Sequence, residues 1–223
     1  MPPIHGSKIL IIGGSTGIGY GVAEKCLTEG AIVHIASSNE SKVSASVQAL
    51  KEKLNGAPIS GHVCDLSSGE LEKDLERLLR ALAPIDHIVF TAGDSLAIKP
   101  LDSINLCLIQ SAGHVRFAVP LLIAKLAPRF MKPGYTSSIT LTTGAGYQKP
   151  FPAGHWSPVN LVSPGAVATP LWGNDGPPEE TKDRTTLGKF GTLDEVAEAY
   201  IYLMKDTNAT GSCVSTNGGS FLL

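Results

Sequence analysis

The chain has 223 residues, 43% of them hydrophobic and 17% charged, which suits one large globular domain and excludes a disordered polypeptide. Its 18 basic and 20 acidic residues leave a net charge of −2, too even to attract nucleic acid. The four cysteines, Cys26, Cys64, Cys107 and Cys213, are far apart and form no CxxC, so no metal site is expected. They read as free thiols in a reducing, cytoplasmic setting. The apolar run Ile9–Ile12 is too short for a signal peptide or a membrane span, so no membrane partner is expected.

Lys8–Ile12 reads as a buried strand, apolar throughout as in a sheet covered on both faces. Directly after it, Gly13 to Gly19 reads Gly-Gly-Ser-Thr-Gly-Ile-Gly: a strand turning sharply into a helix, Gly19–Glu29. Free amides and the helix dipole at such a turn suit a pyrophosphate. The second strand, Ile32–Ala36, leads into Ser37-Ser38-Asn39. A carboxylate here would hold a ribose 2′-hydroxyl and repel a 2′-phosphate, and none stands at that end. Ser37, Ser38 and Asn39 can donate to phosphate oxygens and Lys42 adds a positive charge, so NADP(H) is expected over NAD(H). The same residues can cap the next helix, Glu40–Leu54, and the two roles can coexist.

The third strand, Ile59–Val63, precedes a helix within 69–82 that has Leu71, Leu75, Leu78, Leu79 and Leu82 on one face. Strand His87–Thr91, a long helix Ser103–Arg129, and strands Ser138–Thr142 and Val159–Val162 follow. Thr192 and Glu195 form a capping box that opens helix Leu193–Lys205, before the last strand, Cys213–Thr216. This alternation predicts an α/β fold. It is a Rossmann-type, doubly wound parallel sheet of about seven strands with helices on both faces, in a single domain over 1–223.

The spacing Gly13, Gly17, Gly19 resembles the Gly-x-x-x-Gly-x-Gly turn of the short-chain dehydrogenase/reductase family. Cys64-Asp65-Leu66 is similar to the place where members use an Asp to hold the adenine amine. Thr91-Ala92-Gly93 resembles the family's Asn-Ala-Gly turn. Pro164-Gly165-Ala166-Val167-Ala168-Thr169-Pro170 resembles the Pro-Gly loop beside the nicotinamide, and Asn217-Gly218-Gly219 the end of the last strand. The matches stand in register over nearly the whole chain. The resemblance implies cofactor contacts from Gly13, Ser15, Thr16, Gly17, Ile18, Gly19, Ser37, Ser38, Asn39, Asp65, Leu66, Ala92, Gly93, Pro164, Gly165, Val167 and Thr169. It also implies a homodimer or homotetramer acting on a small molecule.

In this family a Tyr with a Lys four residues later transfers the proton, because the cation lowers a phenol pKa that is otherwise about 10. Here Tyr20 has Glu24 at that offset, Tyr135 has Ile139, Tyr147 has Phe151, Tyr200 has Met204 and Tyr202 has Asp206. None qualifies. The crossover Gly144–Pro158 barely reaches the length that parallel neighbours need, and Pro150, Pro152 and Pro158 oppose a helix. Either a segment near Ser157-Pro158 is missing from this sequence, or the protein lacks the helix that would carry the pair. The apolar sheet face that the second alternative would expose favours the first.

By the same resemblance, Thr143 stands where the family has its substrate-orienting Ser, and His114 near its proton-relay Asn. A Thr satisfied by backbone and a His packed in its helix are the plainer readings. Arg116, two residues on, points elsewhere on the helix, to a substrate, a cofactor phosphate or an ion pair. His155 and Trp156 sit in the Pro/Gly-rich loop, and Trp172 begins a short lid over 171–191. They would wall a site for an apolar or heterocyclic substrate, or serve as packing anchors. The expected activity is NADP(H)-dependent reduction of a carbonyl or imine, or oxidation of the alcohol. The alternatives are an imine reductase or cyclase without the Tyr/Lys pair, and a non-catalytic NADP-binding sensor.

Overall fold

The computed structural model describes residues 3–94, 105–143, 159–173 and 175–222. Seven parallel strands form one sheet in the order β3-β2-β1-β4-β5-β6-β7. They are β1 (Lys8–Ile12), β2 (Ile32–Ser37), β3 (Ile59–Val63), β4 (His87–Phe90), β5 (Ser138–Thr142), β6 (Val159–Pro164) and β7 (Cys213–Thr216). The expected doubly wound sheet is the one observed, with β6 running two residues further than its apolar run indicated.

Strand alternation explains why Lys8–Ile12 is apolar on both faces. Ile9 and Ile11 enter one core with Val22 of α1 (Gly17–Thr28), Val43 of α2 (Glu40–Lys53) and Tyr200 of α6 (Leu193–Lys205). Leu10 and Ile12 enter a second core on the other face. There they meet Leu75 and Leu79 of α3 (Leu71–Leu82) and Val119 and Ile123 of α5 (Val119–Leu126). The connection from β3 to β4 carries the chain to the other wing of the sheet, so the winding reverses between β1 and β4 and the loops after these two strands lie side by side at the carboxyl edge.

The expected unbroken helix over Ser103–Arg129 is interrupted. α4 (Leu106–Gly113) passes into a π-helical turn, His114–Ala118, before α5; residues 103 and 104 lie outside the described residues. Pro120, at the start of α5, has no amide to return to Arg116 O, and the turn before it widens. By length and composition alone, Leu106–Arg129 would pass for a membrane span, with a mean hydropathy of 1.5. Its Val115, Val119, Ile123 and Leu126 instead form an inner stripe packed into the second core.

α6 opens with the expected capping box: Glu195 N donates to Thr192 Oγ1 and Thr192 N to Glu195 Oε2. Among the described helices it is the one that packs extensively on β5, β6 and β7. Buried Asn160 ties β6 to the turn before β7, donating to Ala209 O and accepting from Ser212 N.

Three imidazoles give the fold a pH dependence. His87 is buried against Ser138 Oγ (2.9 Å), and burial pulls its pKa down to about 4. His34 and His62 share a 3.1 Å hydrogen bond between β2 and β3. Burial lowers both, His34 to about 4 with help from His62 and Lys8. A lowered folded pKa means that the unfolded chain binds more protons between roughly pH 6.5 and 4. The stability these imidazoles contribute is therefore fully present above about pH 6.5 and is lost as the pH falls toward 4, with His87 alone contributing about 3 kcal/mol. Chemical denaturation at pH 7 and pH 4.5 checks this, and His87→Gln should flatten the difference. An unchanged midpoint would contradict it.

Candidate active site

The turn after β1 leaves room for nothing larger than hydrogen at three positions, Gly13, Gly14 and Gly19. Gly13 has φ +93°, and a Cβ there would lie 2.5 Å from Ala92 N. A Cβ on Gly19 would lie 2.3 Å from Gly13 O and 2.4 Å from Thr91 Oγ1. The loops after β1 and β4 thus touch through the hydrogens of two glycines. Thr91, standing in the place of the family's Asn, reaches back to Ile12 O (3.3 Å) and plugs the gap between them.

Gly17, the first residue of α1, has φ +53° and faces open space toward Thr169, whose Cβ would be 3.8 Å from an added Cβ. Thr16, at the N-cap, makes no side-chain capping bond. The first amides of α1, on Gly17, Ile18 and Gly19, have no intrahelical partner and no cap. A helix start with uncapped amides, a positive-φ glycine and a gap closed by Thr169 fits a pyrophosphate. Ser15 is buried, and its carbonyl accepts from Ser46 Oγ of α2 at 2.7 Å. Ser46 was not marked by the sequence pattern, although a serine within the stripe Val43, Ser46, Leu50 is the signal that could have found it.

At the end of β2, Ser37 is half-buried while Ser38, Asn39 and Lys42 are exposed. Asn39 caps α2: its Oδ1 accepts from Lys42 N (2.9 Å) and Ser41 Oγ (2.7 Å). Capping therefore occupies the Asn39 oxygen and leaves the two serines and the Lys42 ammonium to face a ligand. Lys42 makes no ion pair among the described residues.

The loops after β3 and β4 are fastened by the π-helical turn. Asp65 Oδ1 accepts from the amide and hydroxyl of Ser67, which hold the carboxyl below its usual range. His114 Nε2 lies 2.8 Å from Leu66 O. A carbonyl only accepts, so Nε2 carries the proton and His114 anchors the turn that holds Asp65 and Leu66. Arg116 turns toward the loop after β4. Its guanidinium covers Gly93, where an added Cβ would meet Nη1 at 3.0 Å, and it donates to Asp94 O. The two side chains, on different sides of the turn, thus reach two loops: His114 the one after β3 and Arg116 the one after β4.

Thr143 follows β5, its amide donating to Val162 O at 3.0 Å. Its hydroxyl makes no hydrogen bond among the described residues. Across the site, Gly165 packs against Asn217, with only 2.9 Å from an added Cβ to Asn217 Cα. The indole Nε1 of Trp172 donates to Val167 O (3.1 Å), which fixes that ring to the loop after Pro164. The far end of 171–191 is tied to the last strand, where Leu187 N and Thr186 Oγ1 both donate to Gly218 O. His155, Trp156 and the Ser157-Pro158 junction lie outside the described residues, as does Tyr147. Of the described tyrosines, Tyr200 is fully buried in the core and bonded to Thr142 Oγ1, and burial pushes its phenol far up. Among the described residues no histidine, cysteine or carboxylate cluster could hold a metal.

A glycine turn at the switch point of a parallel sheet, faced by a Pro-Gly loop at the same edge, defines a dinucleotide-binding α/β protein. The chain belongs to the short-chain dehydrogenase/reductase family: the sequence model of the SDR-like Rossmann domain matches residues 4–159 and 153–223. The short-chain dehydrogenase/reductase ATR9 of Stachybotrys chlorohalonatus is 38% identical over 256 positions, covering all of both chains. The solved structure of the MalC reductase/Diels-Alderase of Malbranchea aurantiaca superposes with a TM-score of 0.88 at 35% identity, over 99% of this chain and 98% of that one. A short-chain dehydrogenase of Burkholderia cenocepacia solved in complex with NADP shares the fold, with a TM-score of 0.81 at 21% identity over 99% of this chain and all of that one. The two pieces of the family match meet at residues 153–159. The alignment with ATR9 runs over 256 positions against 223 residues, so 33 of them face no residue here.

Proposed function

We propose that this protein is an NADP(H)-dependent reductase. The observation that carries the cofactor choice is the end of β2, where Ser37, Ser38 and Lys42 face outward with no carboxylate at the strand end. When bound, NADPH supplies a hydride to an electrophilic carbon. Gly17 to Gly19 would hold its pyrophosphate, Asp65 and Leu66 its adenine, and Ser37, Ser38 and Lys42 its 2′-phosphate. Thr143 would orient the acceptor atom of the substrate, and Arg116 and Trp172 would bound its site. Titration of Trp fluorescence should give a Kd for NADPH at least about ten-fold below that for NADH, a difference of about 1.4 kcal/mol. Equal or reversed affinities would reject the assignment.

A second reading concerns the acceptor. Among the described residues no tyrosine has a lysine four residues on, and one similar protein is named a reductase/Diels-Alderase. An iminium carbon that receives hydride becomes a neutral amine and needs no proton at the acceptor atom. A chain without the Tyr/Lys pair thus suits an iminium better than a ketone, whose alkoxide must be protonated. The 33 unmatched positions and the split of the family match support a shortened crossover between β5 and β6. The intact mass of the native protein tests it: 23.3 kDa means that the crossover is short, and a larger mass means that a segment is present in the protein. In the first case a cyclic imine should be consumed faster than any ketone.

α4 and the turn after it present Leu106, Ile109 and Phe117, each more than half exposed, along one stretch of helix. A second copy of the chain would cover such a surface. Light scattering should return a dimer or tetramer mass; a monomer at micromolar concentration would exclude it.

A further inference from the structure

β6 is apolar except at Asn160, which bonds Ala209 and Ser212, and Ser163, which has no hydrogen-bond partner among the described residues. Ser163 is 1% exposed, and among the described residues its hydroxyl finds no hydrogen-bond partner. It stands one residue before the Pro164-Gly165 loop, at the carboxyl edge where ligands of this fold bind.

Register places it beside Thr143. β5 and β6 pair Leu141 with Leu161 and Thr142 with Val162, and the amide of Thr143 continues that ladder to Val162 O. The next cross-strand pair is therefore Thr143 and Ser163. Both point to the same face, because their predecessors both point to the other. Thr142 bonds Tyr200 of α6, and Val162 lies in the core that α6 covers. Two hydroxyls on adjacent strands, about 4.8 Å apart at the backbone, thus stand side by side. Neither makes a hydrogen bond among the described residues. Rotation about χ1 alone brings two such oxygens within reach of each other.

We propose that Ser163 is a positioning residue for Thr143. Its O–H donates to Thr143 Oγ1, which aims the Thr143 O–H at the acceptor oxygen or nitrogen of the substrate. The inference rests on the reductase reading. Ser163 itself touches neither substrate nor cofactor, and no proton moves along the pair. A hydroxyl whose lone pair accepts a hydrogen bond is a better donor onward, so the effect falls on the chemical step.

The test is a double-mutant cycle on the full chain, with NADPH and two probes, phenanthrenequinone and a methylpyrroline imine. Ser163→Ala should lower kcat about ten-fold, leave the KM for NADPH unchanged, and lower Tm only slightly, because a single hydrogen bond of modest net worth is lost. Ser163→Cys, a weaker donor of similar size, should fall between. In a Thr143→Ala background, Ser163→Ala should have no further effect. Wild-type kcat in Ser163→Ala, or losses that multiply in the double variant, would overturn the positioning role while leaving the reductase reading intact. No turnover of either probe by the wild-type chain would overturn that reading and this inference with it.

Discussion

Gly19→Ala should abolish tight cofactor binding. A methyl at this position would lie 2.3 Å from Gly13 O and 2.4 Å from Thr91 Oγ1, and neither can yield freely. Gly13 is held by Gly13 N donating to Ala36 O (2.8 Å), and Thr91 by its amide to Ile12 O (2.9 Å). The turn must open by roughly an ångström, which moves the amides of Gly17 to Gly19 off the pyrophosphate position. A displacement of that size costs about a hundred-fold in function, and overpacking lowers stability by about 1–3 kcal/mol. The measurement is the Kd for NADPH beside Tm, expected to drop by about 2–4 °C per kcal/mol. Gly113→Ala supplies the contrast. Gly113 ends α4 with nothing within 4 Å of an added Cβ, so the same change there should stabilise by about 0.5–1 kcal/mol. If Gly19→Ala binds NADPH normally, the loop does not hold the pyrophosphate.

The second large effect is expected at Ser37. Ser37→Asp puts a carboxylate at the end of β2, half-buried and beside the proposed 2′-phosphate position. Two unit charges about 4 Å apart at a protein surface interact by about 4 kcal/mol. NADPH affinity should fall by a hundred-fold or more, while NADH, whose ribose hydroxyl can donate to the new carboxylate, should bind more tightly. The repulsion is screened by salt, so the loss should shrink at high ionic strength. Tm without cofactor should barely move. A variant that keeps its preference for NADPH would place the 2′-phosphate elsewhere.

The sheet was legible in the sequence because its signals are local. An apolar run of four or five residues, a glycine turn and a leucine stripe at helical spacing each depend on a few neighbours. The seven strands were found to within two residues, and the capping box at Thr192 and Glu195 forms as its spacing requires. The interruption of the long helix was not legible, although Pro120 stood as its marker. One proline at a helix start is common, and only packing of Val115 and Val119 against the sheet decides where the extra residue is accommodated.

For the site the division is sharper. Gly13, Gly17 and Gly19 could be identified by spacing, because a strand-turn-helix fixes them within seven residues. The meaning of Arg116 could not. Helical spacing sends a residue two positions from His114 to another face, and only the tertiary structure shows that this face meets Gly93 and Asp94. Ser46 and Ser163 were equally silent, since Ser46 bonds a residue 31 positions away and Ser163 stands beside Thr143 only through strand register.

By itself the sequence determined a dinucleotide-binding α/β chain and pointed to its family, because glycine placement and strand order are written locally. Only the tertiary structure decided which side chains close the site. Thr91 fills the gap between two glycines, His114 fastens the turn after β3, and Ser163 stands beside Thr143 with no hydrogen-bond partner among the described residues. The physical reason is that these contacts arise from register and from which face of a strand is covered, and no short window of sequence contains either.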